Sequence, residues 1–596
     1  MTAFSTTIKA FAFGLLLSTC AYPALAYNGD DDRAAGRAVS SGEAATEKHA
    51  SEKHKSSASH HAAIGHGNLT KIESFGVLSG VKDGGLGIDM WDGSERATIV
   101  NLIPKIPASF HYRAIRDLER RVLMTAADVT MLGNKDAAPP EPGKDIFSLR
   151  LQKLMDMGQA EDAARLYKEN PYGPYDGQMA SLGVLALMFD GQGALACLDT
   201  EAMHDKFDGV HMWDQLTAIC DYKLETMAGS KTVAKKTMGP FPAGDSPLVR
   251  KAMENPAYRY DGSIKEFESL TPLEQAFLAI DGRIDYARFR KLDAASLPPS
   301  VLAVLIHDPN APLDFRFELM LTGIDVGIVS AKELGDFYKA IPFTNLADEP
   351  AKLDGIREAN GWQRLAWLFR SADKSRGTID NEVLRIALPM KNEYGLEALA
   401  PFASMLSDAK PDGMPDETIR AGILLGLVMN APISDAWEQH WKGKDSSLPQ
   451  DVLLKVAYEI GQESLTKDGA HYNKLLSEIS VLPVQQQELI KIFAGKLDKG
   501  GKLHNIEAVK VYENTVDLTQ NAGYVMPSVG LIESLTTAVN NKQLGEAVLL
   551  SSVALQETPP DKIAGNLHEV ANGLKTVGLT KESRGLAVEA ILGAGK

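Results

Sequence analysis

"LRLQKLMDMGQAEDAARLYKENP", residues 149–171, carries Leu151, Leu154 and Met155, then Ala163, Ala164 and Tyr167, at three- and four-residue steps. That spacing places each cluster on one face of a helix. Gly158 lies between the clusters, where a helical hairpin turns, and Pro171 ends the second. Such a hairpin cannot bury its apolar stripe alone, so a series of them stacks neighbour on neighbour.

The same design recurs in "TPLEQAFLAIDG" from Thr271, "PPSVLAVLIHDP" from Pro298, "SAKELGDFYKAIP" from Ser330 and "DETIRAGILLGLVMNAP" from Asp416. Each opens on a capping residue or proline, runs through an apolar stripe and closes near Gly, Asn or Pro. Strand-like alternation is nearly absent. The expected fold is all-α: an elongated array of antiparallel helical hairpins, a degenerate tetratricopeptide-like α-solenoid without a strict 34-residue period. The polar stretch "FTNLADEPAKLDG", residues 343–355, divides it into two expected lobes, 69–345 and 346–596.

Ahead of the helices the composition changes. Residues 1–26 read as a cleavable export signal: Lys9, the short apolar "AFAFGLLLST", and the small-residue site Ala24–Ala26. A lipid anchor on Cys20 is the less favoured alternative, because Thr19 is a poor residue before it. Residues 27–68 hold almost no large apolar side chain, and such a segment cannot offset its ordering entropy, so a disordered tail is expected. His49, His54, His60, His61 and His66 make this tail a weak metal candidate. Fixed spacing and a rigid outer shell are missing, and the expectation is a solvated tail with no metal site.

The 596 residues are 44% hydrophobic, enough for a large core. A net charge of −16 without a basic patch argues against a nucleic-acid partner. No stretch after the signal reaches membrane-spanning length, so no integral membrane segment is expected. Once the signal is removed, Cys197 and Cys220 form an even pair on two adjacent helical segments, and a structural disulfide is expected in an oxidising compartment.

Motifs for chemistry are incomplete. HExxH, GxSxG, GxxxxGK[ST] and GxGxxG after a strand are absent, and the SxxK matches at Ser371 and Ser407 lack companions. Soluble lytic transglycosylases also build arrays of helices and use a Glu-Ser acid. Glu463–Ser464 and Glu533–Ser534 offer that dipeptide, but their second motif does not follow, and no catalytic residue or cofactor is assigned. Trp437 and Trp441 lie four apart on one helical face beside His440 and are the candidate partner surface, with core packing the favoured alternative. Trp362 and Trp367 read as packing.

"GIDMWDGSERATIVNLIPKIP" at 87–107, "RDLERRVLMTAAD" at 116–128, the cysteine pair, "TPLEQAFLAIDG", "VNNKQLGEAVLLSSVAL" and "VGLTKESRGLAVEAI" follow one another as in a family of exported, alanine- and leucine-rich alphaproteobacterial proteins without an assigned reaction. The chain resembles that family over nearly all its length after the tail, apart from its lower alanine content and its histidines. The resemblance implies a periplasmic or secreted helical protein and transfers no active site. The expected function is a non-enzymatic envelope scaffold binding a protein or peptide on a helical-repeat surface. The alternative is binding or processing of peptidoglycan.

Overall fold

The computed structural model describes residues 66–109, 112–133, 140–207, 211–227, 246–289, 293–442, 448–461, 469–496, 529–556 and 564–593. The export signal, Cys20, His49, His54, His60, His61 and Glu463–Ser464 lie outside them, as does nearly all of the tail. Residues 63–596 form one compact unit. Among the described residues every regular element is a helix, and pairing outside helices is confined to isolated bridges such as Leu78 with Thr125. The all-α fold is as expected.

The unit opens with α1 (His66–Ser74), α2 (Arg96–Leu102), α3 (Arg113–Met124), α4 (Ile146–Asp156), α5 (Ala160–Lys168), α6 (Gly177–Phe189), α7 (Gly193–His204) and α8 (His211–Met227). It continues through α9 (Pro247–Glu254), α10 (Ile264–Glu268), α11 (Pro272–Ile280), α12 (Pro299–His307), α13 (Leu313–Asp325), α14 (Ala331–Ala340), α15 (Gln363–Ser375), α16 (Asp380–Ala387) and α17 (Lys391–Tyr394). The remaining helices are α18 (Asp416–Val428), α19 (Asp435–Lys442), α20 (Pro449–Gly461), α21 (Gly469–Glu478), α22 (Val484–Lys496), α23 (Val529–Asn540), α24 (Leu544–Gln556), α25 (Ala564–Thr576) and α26 (Thr580–Gly593).

Their ends follow local chemistry. At α11 the Thr271 hydroxyl accepts from the Glu274 amide at 3.3 Å, while the Glu274 carboxylate accepts from the Thr271 amide at 2.8 Å, and Pro272 occupies the first turn. Ser330 and Glu333 repeat the arrangement at α14. At the other end of the helices one turn recurs: Gly158 has φ +74°, and the next amide reaches back from Gln159 to the Leu154 carbonyl at 2.8 Å. Gly191, Gly282, Gly327 and Gly578 share the left-handed conformation, and Asn430 adopts it at φ +50°.

Consecutive helices pack as hairpins from α4 through α8 and from α23 through α26. The Cys197 and Cys220 sulfurs, on α7 and α8, lie 2.07 Å apart. The stretch 343–355 is fastened to α15: the Ala347 amide donates to the Ser371 hydroxyl at 3.1 Å, and the Trp367 indole donates to the Asn345 carbonyl at 2.8 Å.

A strict array would put each hairpin against its chain neighbours alone. Here α3 also packs on α24 and α26, and α26 packs on α20. The buried Trp91 sits on Gly545, where an added Cβ would stand 2.5 Å from its ring, and the Gly545 amide donates to the Met90 carbonyl at 2.9 Å. Buried cations on α4 tie the N-terminal segments to it. Arg150, 2% exposed, donates to the Phe75 carbonyl at 2.7 Å and to those of Leu123, Thr125 and Glu73. Lys153 holds the Pro104 and Ile106 carbonyls at 2.9 and 2.8 Å. With their acceptors satisfied these buried cations are tolerated, and losing either would strand carbonyls away from water.

Candidate functional site

The sequence of α3, RAIRDLERRVLM, buries Ile115, Leu118, Val122 and Leu123 against its neighbours. Positions 113, 116, 117, 120 and 121, spaced at helical turns, carry four arginines and an aspartate. This charged face forms one wall of a cavity of about 870 Å³. The other walls are the α4–α5 turn at Gly158, the end of α12 at His307, the α13–α14 turn, the end of α18 at Met429, and the α26 residues Lys581, Glu582 and Glu589. Gln159 ties two of these turns together, its amide donating to the Gly327 carbonyl at 2.8 Å.

The arginines divide into two pairs. Arg120 grips Asp162 with Nε and, at 2.8 Å, with Nη2; Arg121 is held by Glu582 and donates to the Gly84 carbonyl at 2.6 Å. Both guanidinium groups are paired with a carboxylate, Arg120 through two nitrogens and Arg121 through Nη1 alone. Arg113 Nη1 rests on the Met429 sulfur at 2.8 Å, and Arg116, 6% exposed, donates only Nη2, to the Asp325 carbonyl at 2.8 Å. Its Nε and Nη1 are buried without a hydrogen-bond partner. Among the described residues neither Arg113 nor Arg116 forms an ion pair with a carboxylate. Gly327, at φ +75°, makes room for this group: an added Cβ would stand 2.3 Å from the Arg116 Cζ.

Burial governs the protonation of the neighbouring acids. It pushes Glu589 up to about 7, although Arg116 and Arg113 pull the other way. That carboxylate accepts from the Ala114 amide at 3.1 Å and so caps the positive end of α3. Glu119, one turn beyond Arg116, is fully buried and pushed up to about 8 despite a hydrogen bond from the Ser552 hydroxyl. Arg116 itself is lowered to about 10 by burial and then by Arg113. His307 is held below its ordinary value, also by burial.

The residues singled out in the sequence lie elsewhere. Trp437 is fully buried, its indole donating to the Ala409 carbonyl at 3.0 Å and its ring seated on Gly422, so it cannot serve as a partner surface. The side chain of Trp441 is outside the described residues. Trp362 and Trp367 are also buried, Trp362 stacked on Phe317 with centroids 4.4 Å apart. Glu533 and Ser534 are exposed on α23, and the Ser534 hydroxyl donates to its own helix at Gly530. His66 begins α1, with its side chain outside the described residues. Among the described residues no cluster of three or more His, Cys, Asp or Glu side chains is placed to hold a metal ion. No described helix is long and apolar enough to cross a membrane.

The residues missed were the α3 arginines. Their i, i+3, i+7, i+8 spacing was the available signal, but a charged helical face is ordinarily solvated, and only folding surrounds this one. No family model matches the chain, and no curated protein or solved structure is similar to it.

Proposed function

We propose that the chain is an exported, non-enzymatic scaffold of the cell envelope that holds a peptide or protein segment in the cavity beside α3. The observation that carries this reading is the cavity itself: about 870 Å³, within the size range of ligand pockets, and lined by apolar side chains such as Val326, Ile328 and Met429 next to charged ones. Helical-repeat surfaces serve such segments because successive turns present side chains along an extended path. Export is supported by the N-terminal sequence and by the cysteine pair, and it extends the resemblance to exported alphaproteobacterial proteins.

The test is a photo-crosslinking residue placed at Val326 in the cavity or, as a control, at Tyr172, which is 44% exposed elsewhere. In native cells Val326 should give discrete protein or peptide adducts that Tyr172 does not, whether or not residues 27–68 are present. Equal adducts from both positions, or none from Val326, would remove the reading.

One observation favours a second reading, processing of peptidoglycan: Glu589 is a buried carboxyl at a cavity wall with its pKa raised to about 7, as a general acid requires. Against it stands the use of the same carboxylate as the cap of α3. Release of soluble fragments from purified peptidoglycan by the intact chain, lost in Glu589→Gln, would establish that alternative.

A further inference from the structure

We propose that the α3 wall of the cavity is a carboxylate-binding site centred on the Arg116 guanidinium, and that it receives the free C-terminal carboxylate of a peptide. This rests on the reading of the cavity as a peptide site and names the group by which the peptide is held.

Three independent features converge on Arg116. It is nine-tenths buried and lines the cavity, yet Nε and Nη1 donate to nothing. Buried polar groups are ordinarily satisfied, and a guanidinium with unused donors is the costliest kind to leave alone. The backbone is adapted to it: Gly327 leaves the space that any side chain would fill, and the Asp325 carbonyl accepts from Nη2, which fixes the plane of the group. Direct ion pairing on this wall is also uneven, although Glu589 and Glu119 act on Arg116 through space. Asp162 and Glu582 neutralise Arg120 and Arg121, whereas Arg113 has only the Met429 thioether and Arg116 only a carbonyl. Glu589, one of the acids lining the cavity, accepts from the Ala114 amide of α3. A carboxylate that reaches Nε and Nη1, which are closed to solvent and lie against Gly327, would supply the acceptors they lack as charge-assisted hydrogen bonds.

A peptide terminus fits better than an acidic side chain alone, because Met157, Val326, Ile328, Val428 and Met429 line the same cavity and can receive the last side chains. Each of these residues lies at a helix end or in a turn.

The experiment uses the purified mature chain and an equimolar mixture of random hexapeptides, prepared once as free acids and once as C-terminal amides. Peptides retained with the protein after gel filtration are quantified by mass spectrometry at matched ionic strength. Free acids should be retained over amides by about ten-fold, the scale of one charge-assisted contact. Arg116→Gln should bring acid retention down to the amide level, and Arg364→Gln, outside the cavity and paired with Glu393, should leave it unchanged. Equal retention of acids and amides by the wild-type chain, or retention of neither, overturns the proposal even if Arg116→Gln fails to fold. Stabilisation by inorganic phosphate without preference for free-acid peptides would also overturn it. Cavity crosslinks that persist with equal retention would leave the peptide-binding reading standing and remove only the carboxylate assignment.

Discussion

Glu119 shows what a single residue contributes to this centre. It is fully buried on α3, one Oε accepting from Ser552 and the other without a partner. Its carboxyl keeps a proton to about pH 8 in the folded chain against 4.5 when unperturbed. Between those values the folded state binds a proton that the unfolded state has lost, so this residue makes stability fall as pH rises from 4.5 toward 8. Glu589 acts in the same direction up to about 7. Thermal melts of the wild-type chain should therefore decline between pH 5 and pH 8, and Glu119→Gln, which keeps an acceptor for Ser552, should flatten the decline. An unchanged slope in that variant would show that Glu119 titrates normally.

At the scale of elements, most of the helical architecture was legible because it is locally encoded. Thr271, Pro272 and Glu274 specify the start of α11, and Gly158 specifies the α4–α5 turn, through interactions within five residues of chain. The cysteine pair was legible for the same reason, because two adjacent antiparallel helices bring residues 23 apart together. Replacing both Cys197 and Cys220 with serine should lower stability by about 3 kcal/mol, as expected for opening a loop of that length. Denaturant unfolding of oxidised chain against the double variant measures it, and identical midpoints would show that the bridge does not form. The cavity was not legible. Arg116 meets Asp325 across 209 residues, and Ala114 meets Glu589 across 475, distances at which no periodicity carries a signal. The tryptophans illustrate the opposite problem: Trp437 and Trp441 share a helical face by spacing, but spacing cannot show that Gly422 and the Ala409 carbonyl bury Trp437.

Across the whole compact unit, segments from the two ends of the described chain build one centre. The Trp91 region docks on Gly545, and α3 lies against α24 and α26. The stretches 87–107, 116–128, 539–555 and 577–591 thus meet in one place, and their apolar sides are explained by mutual packing. The polar face that packing does not explain is the one α3 turns to the cavity. Its arginines are surrounded by turns from α4–α5, α13–α14 and α18, so a ligand there would touch elements drawn from most of the chain. The measurement that tests this most directly is hydrogen–deuterium exchange of the purified chain with and without the free-acid hexapeptide mixture. Protection should appear at residues 113–120, 324–330 and 581–589 together, with α7 and α8 unchanged; protection confined to outer helices, or none at the three cavity segments, would contradict the account.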